Sequence, residues 1–214
     1  MRGLFMTALI LCLAQAGRVS AQSEKQDKKG IHAEKEIIEL MLLRQKSVRE
    51  ELKIDMDGAK KIFEFTNKQH EKAMEVHALP HEQQAAKWEA MEKDNDEFLH
   101  TAITPEQHKR LKQIAIQTAG LLFVTSPKIS KDLNLTPEQE AQAKKLQEEI
   151  QNKVFTVMNA KSREGRNEKL AEIRHSSNES LYKLLTGAQR TKWKELAGEP
   201  FNGHLLFEEE EKGK

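Results

Sequence analysis

Apolar residues recur along this chain at intervals of three and four, the spacing that lines one face of a helix. Ile37, Leu40, Met41, Arg44 and Val48 begin such a series, which runs into Leu52. Ala59, Ile62, Phe63 and Thr66 resume it toward Met74 and His77, and Pro80 marks a break or kink because it removes a backbone donor. Ala85, Trp88, Met91, Asn95 and Phe98 form the next stripe. In the second half, Ala143, Leu146, Ile150, Val154 and Met158 share one face of a helix starting near Pro137. Leu170, Ile173, Ser177, Leu181 and Leu184 share one face of another. AKSREG at 160–165 reads as a turn between them or as a weak point in one long helix, and Gly198 with Pro200 stops the last helix. No alternating pattern is long enough for a sheet. The best strand candidate, Phe123-Val124 with Leu121 and Leu122, reads better as a connector packed on helices. The fold class is therefore all-α, built of long amphipathic helices and helical hairpins.

The two halves echo each other. VREELKIDMDGAKKI starts at Val48 and ISKDLNLTPEQEAQA at Ile129, 81 residues later; FLHTAITPEQHKRLKQI starts at Phe98 and SLYKLLTGAQRTKWKEL at Ser180, 82 residues later. A nearly constant offset across two separated matches implies duplication of one helical unit of about 80 residues. The expected division is a first repeat over 31–120 and a second over 121–200, with a leader over 22–30 and an acidic tail over 201–214.

One phrase appears three times in these matches, as AITPEQ from Ala102, NLTPEQ from Asn134 and LLTGAQ from Leu184. Thr136 is placed to cap a helix through its hydroxyl, Pro137 occupies the first position, where an amide proton is not needed, and Glu138 favours the positive helix end. Gln139 sits where its side chain reaches back to complete a capping box. Thr104 and Gln107 repeat this arrangement, and Thr186 and Gln189 keep its two box residues. In the first unit's opening phrase, Asp55 and Gly58 retain only an aspartate cap. The apolar residues before each cap, Ile103, Leu135 and Leu185, lack staple partners, since His108, Glu140 and Arg190 fill those places; they are expected to pin the turns against neighbouring helices. The phrase reads as scaffolding, with a recognition surface on the same turns as the alternative.

Composition sets the compartment. MRGLFMTALILCLAQAGRVSAQ carries one arginine, an apolar run from Leu4 to Ala14 and a small-residue end, the order of a secretory signal cleaved after Ala21 (residues 1–21). The only cysteine, Cys12, lies in that segment, and Leu11 before it does not suit a lipid anchor, so the mature chain offers no thiol chemistry. Cleavage removes two of the 35 basic residues, Arg2 and Arg18, and none of the 34 acidic ones, for a net charge of −1. That balance gives no argument for a nucleic-acid partner.

With Leu135, Thr136 and Gln139, with Leu185, Thr186 and Gln189, and with the variant Ile103, Thr104 and Gln107, the chain resembles the LTXXQ-motif family of periplasmic proteins (Spy/CpxP-like), in a duplicated form. The resemblance covers about Val48 to Gly198. It implies an exported helical protein of the periplasm, soluble after signal cleavage, in a family whose members often form dimers. It further implies a chaperone-like or stress-related binder of unfolded or envelope proteins, or of a sensor protein. A zinc-responsive branch of that family binds metal. The chain departs from the family in its length, in the lost opening motif of the first copy and in its near-zero charge, so no ligand residue is carried over.

Candidate chemistry is sparse. His70, Met74, His77 and His81 recur at four, three and four residues, a spacing that would offer imidazoles to zinc, copper or nickel, although Pro80 disrupts the last turn and an ordinary solvated face accounts for them too. Acidic clusters such as Asp94, Asp96 and Glu97 read as solvated faces. Ser126-Pro127-Lys128 lacks a strained turn, and no phosphate-binding glycine loop occurs. Asn134-Leu135-Thr136 and Asn178-Glu179-Ser180 match a sugar-acceptor pattern, which the bacterial source implied by the resemblance would make irrelevant. Trp193 falls where Leu111 falls in the earlier match, which argues for packing, and Trp88 reads as core. No catalytic residue and no cofactor is expected; the function expected is non-enzymatic protein binding, with metal binding or sensing as the alternative.

Overall fold

A computed structural model describes residues 37–205 apart from Lys161 and Arg163 and the side chain of His81. The expected signal and leader and the tail beyond 205 lie outside the described residues. Those described form nine helices and no strand. They are α1 (37–44), α2 (Lys46–Glu51), α3 (Met56–His77), α4 (His81–Ala102), α5 (Pro105–Phe123), α6 (Pro127–Leu133), α7 (Pro137–Met158), α8 (Arg166–Leu184) and α9 (Gly187–Ala197). The all-α expectation is met. Among the described residues no helix is long and apolar enough to cross a membrane.

The single helix expected over 37–52 is two. Gln45 is extended (φ −75°, ψ 129°) and serves as the cap of α2. Arg49 explains why the break is tolerated: its Nη1 donates to the carbonyl of Leu43 at 3.0 Å and also to that of Arg44, end carbonyls that a continuing helix would have satisfied itself. The break at Pro80 falls where expected, between His77 and His81, and the stretch after Asn159 is a turn, with Gly165 at φ 65° leading into α8. Phe123 closes α5, and fully buried Val124 joins Leu121, Leu133, Leu181 and Trp193 in one apolar cluster.

The described chain divides into two compact units, 113–201 and 37–112 with 202–205, the division falling within α5. In 37–112, α3 packs along α4 as a helical hairpin. Ala73, Val76 and Met91 are its buried contacts at one end, with Trp88 against them; Phe65 stacks on Phe98 nearer the other, ring centroids 3.8 Å apart. In 113–201, α7 packs along α8 in the same way, and α9 packs on α6. Its core joins Ala143 on α7 to Leu181 and Leu185 of the α8 end, with Trp193 of α9 covering Gly120 so closely that a β-carbon there would meet the indole at 2.6 Å.

The element ends follow the offsets read from the sequence. α3 and α7 start at 56 and 137, both spanning 22 residues; α4 and α8 end at 102 and 184, and α5 and α9 start at 105 and 187. Lys53 and Asn134, 81 apart, both adopt left-handed backbone (φ 53° and 51°) just after α2 and α6. Buried positions match as well: Leu52 with Leu133, Ile62 with Ala143, Leu99 with Leu181, Ile103 with Leu185 and Leu111 with Trp193.

Candidate functional site: the paired TxxQ turns

The three TxxQ phrases all sit at helix starts and all make the reciprocal pair of bonds. Thr136 accepts from the Gln139 amide at 3.2 Å while its own N–H donates to Gln139 Oε1 at 3.1 Å. The corresponding distances are 3.3 and 2.9 Å for Thr186 with Gln189, and 3.2 and 2.8 Å for Thr104 with Gln107. Each box satisfies two amides that helix geometry leaves without partners. At the Asp55 turn only one bond is made, from Gly58 N to Asp55 Oδ1 at 2.7 Å.

The structure adds a contact that local spacing does not encode. Gln139 and Gln189, 50 residues apart, face one another across two turns of the 113–201 unit. Gln139 Nε2 donates to Gln189 Oε1 at 2.8 Å, and Gln189 Nε2 donates to Gln139 Oε1 at 2.9 Å. The remaining proton of each amide goes to the opposite turn: Gln139 to the Leu184 carbonyl at 2.9 Å, Gln189 to that of Asn134 at 3.3 Å. A primary amide has two protons and two acceptor lone pairs. Here each glutamine uses all four, two across the pair, one on its own cap and one on the facing turn. This explains the choice of glutamine. Glutamate would serve the capping box equally well, but it has no proton to give and would set two carboxylates face to face.

In the 37–112 unit the same reach is half complete. Gln107 Nε2 donates to the Leu52 carbonyl at 2.7 Å, but the position corresponding to Gln139 is Gly58, which has no side chain to answer. A β-carbon at Gly58 would meet Ile54 Cγ2 at 2.9 Å. Other polar contacts hold this end. Arg110 donates twice to Glu51 Oε1, at 2.9 and 2.8 Å, and buried His108 places Nε2 2.9 Å from Glu39 Oε2. Glu39 is 1% exposed, and among the described residues its Oε1 has no hydrogen-bond partner.

The polar residues that fill the staple-partner positions make polar contacts of their own. His108 pairs with Glu39, Glu140 accepts from the Ser130 hydroxyl, and Arg190 Nε donates to the Tyr182 carbonyl at 2.7 Å. Ile103 and Leu185 are buried, and Leu135 packs against the main cluster, so all three pin their turns. A hydrogen bond to its own backbone amide, and then the Thr136 hydroxyl, hold the pKa of the exposed Glu138 carboxyl below its usual value, the preference expected of an acid in a first turn.

The histidine stripe is not assembled. His70 and His77 lie on α3 seven residues apart, about 10 Å along its axis, whereas ligands of one zinc ion sit about 2 Å from it. His77 ends the helix, its ring edge-on to Trp88 at 5.0 Å, Met74 is exposed, and His81 opens the next helix. Burial, reinforced by the Arg44 charge and opposed by Glu71, lowers the His70 pKa. Among the described residues, no three His, Cys, Asp or Glu side chains stand together as a metal would need. Asn178, of the sugar-acceptor pattern, lies within α8 and donates to the Gln117 carbonyl at 3.3 Å.

Two of these tie points have a partial trace in the sequence. Glu39 interrupts the run IIELMLL at 37–43, where a carboxylate among apolar neighbours signals a buried partner, and His108 occupies a staple position. The Gln139–Gln189 pair has no such trace beyond the repeated phrase. No family model, curated protein or solved structure matches the chain.

Proposed function

We propose that this protein is a non-enzymatic, exported helical binder of other proteins, a duplicated relative of the LTXXQ-motif family, acting in the periplasm on exposed apolar segments of envelope proteins. The observation that carries this reading is the half-covered apolar rail of the α7–α8 hairpin. Leu146, Ile150, Val154 and Val157 on α7, with Ile173 and Leu184 on α8, remain partly exposed, and Lys145, Glu148, Glu149 and Lys153 flank them with charge of both signs. A two-helix hairpin covers only one side of each stripe, and partly open apolar strips rimmed by charge suit extended or amphipathic segments of a partner. The α3–α4 hairpin repeats the pattern with half-buried Phe63, Phe65, Trp88 and Phe98. The non-enzymatic part of the proposal rests on the repeated phrase. Its glutamine amides are committed to caps and turns, which leaves them no role in chemistry.

Light scattering of an unfolding client tests the reading. The mature chain at equimolar ratio is expected to suppress client aggregation, with a helical control protein inactive. Equal aggregation with and without the chain would refute the proposal.

A further inference from the structure

The chain holds eight asparagines, and the fold shelters seven of them. Five lie inside α3, α4, α7 and α8, and Asn134 and Asn159 close α6 and α7. The eighth, Asn202, is exposed, lies in the irregular chain after α9 and alone precedes a glycine. An asparagine side chain is open to attack by the next residue's backbone nitrogen when that nitrogen is unbonded and can swing over Cγ. A helix prevents both, because it fixes ψ at about −42° and engages the amide. A following side chain obstructs the approach, and glycine has none. The Gly203 N–H takes no part in the hydrogen bonds among the described residues. Asp57-Gly58 makes the contrast within the same chain: the Gly58 amide that ring closure would need sits in the first turn of α3 and donates to Asp55 Oδ1 at 2.7 Å. Along the chain, Asn202 and Gly203 also fall between two tied residues. The Phe201 N–H donates to Gln117 Oε1 at 2.7 Å, and the His204 carbonyl accepts from the Ser47 hydroxyl at 2.6 Å.

We propose that Asn202-Gly203 is a site of spontaneous covalent modification, which unfastens residues 202–205 from α2. Gly203 N bonds to Asn202 Cγ, the Cγ–Nδ2 bond breaks and ammonia leaves with the amide proton, giving a cyclic imide. Water then opens the ring. Cleavage at Cγ leaves aspartate in a normal backbone, whereas cleavage at the Asn202 carbonyl carbon leaves an isoaspartyl link, which carries the backbone through the side-chain methylene. Either product adds one negative charge. The isoaspartyl link also adds one backbone bond, about 1.5 Å, between the two ties, enough to carry the Ser47–His204 pair beyond hydrogen-bond distance. This inference is independent of the protein-binding reading above.

The full chain, held in mildly alkaline buffer to favour loss of the amide proton, is sampled by peptide mapping with mass spectrometry and by an isoaspartate-specific methyltransferase. Asn202 is expected to convert at least about tenfold faster than any other asparagine, the factor that a helix opening to one part in ten alone imposes. The isoaspartyl fraction, separated by charge, is expected to be cut by chymotrypsin after Leu205 about fivefold faster than fresh chain, the scale of one net hydrogen bond. Rates are normalised to free peptides of residues 195–212 with the same linkage. Fresh Ser47→Ala is expected to show the same acceleration. Asn202→Gln, whose side chain would have to close a larger ring, is expected to stay intact and to be cut at the fresh rate after the same incubation. Conversion of Asn202 no faster than that of the helical asparagines overturns the site. An isoaspartyl fraction cut no faster than fresh chain, or an equal acceleration in incubated Asn202→Gln, overturns the unfastening.

Discussion

The paired turns in 113–201 and in 37–112 solve the same problem by different means. In 113–201 two capping boxes are tied by their own glutamines, and every hydrogen-bonding position of both amides is used. In 37–112 one glutamine reaches across to the Leu52 carbonyl, Gly58 stands where Gln139 stands in the other unit, and the end is held instead by the Glu51–Arg110 pair and the buried Glu39–His108 pair. The difference shows how a repeated phrase is separable into two functions. Its Thr and Gln form a local cap wherever they occur, whereas the clasp needs a second copy at the facing turn. The Asp55 turn, with Gly58 where the other unit has Gln139, makes a helix start without the clasp.

The largest effect that breaks the comparison is expected at the buried pair. His108→Ala leaves the Glu39 carboxylate buried without its partner and should lower the stability of 37–112 by about 3–5 kcal/mol. Replacing both residues by leucine should recover most of that loss. Urea unfolding followed by Trp88 fluorescence in a Trp193→Phe background reads this unit alone. Next in size, Gln139→Glu keeps an acceptor for the Thr136 cap but removes the two donated bonds, and should cost about 1–3 kcal/mol. Its readout is Trp193 fluorescence in a Trp88→Phe background. The smallest change goes the other way. Lys53 occupies the left-handed position that Asn134 fills in the other unit, and Lys53→Gly should stabilise 37–112 by up to about 1 kcal/mol by relieving the β-carbon contact, measured as a rise in its urea midpoint.

Much of the fold was legible because it rests on local rules. Stripe spacing located α3, α4, α7 and α8, Pro80 and Gly198 marked real ends, and each TxxQ phrase starts a helix. The break at Gln45 was not legible, since the apolar spacing runs through it unaltered and the compensating bonds come from Arg49, a turn further on. The clasp was hidden for a related reason. Partners 50 residues apart meet only through the packing of four helices, and the capping role already accounted for both glutamines. The histidine spacing misled in the opposite direction, because a regular interval on paper spans a helix end and a proline in space.

A double-mutant cycle tests the clasp most directly. Gln139→Ala, Gln189→Ala and the double variant would be unfolded in urea in a Trp88→Phe background, with Trp193 reporting on 113–201. If the two amides act as one unit, the losses fall short of additivity by about 1 kcal/mol or more, as expected for residues in one hydrogen-bond network. Losses that add to within about 0.3 kcal/mol would mean that each glutamine only caps its own helix, and the clasp would be contradicted.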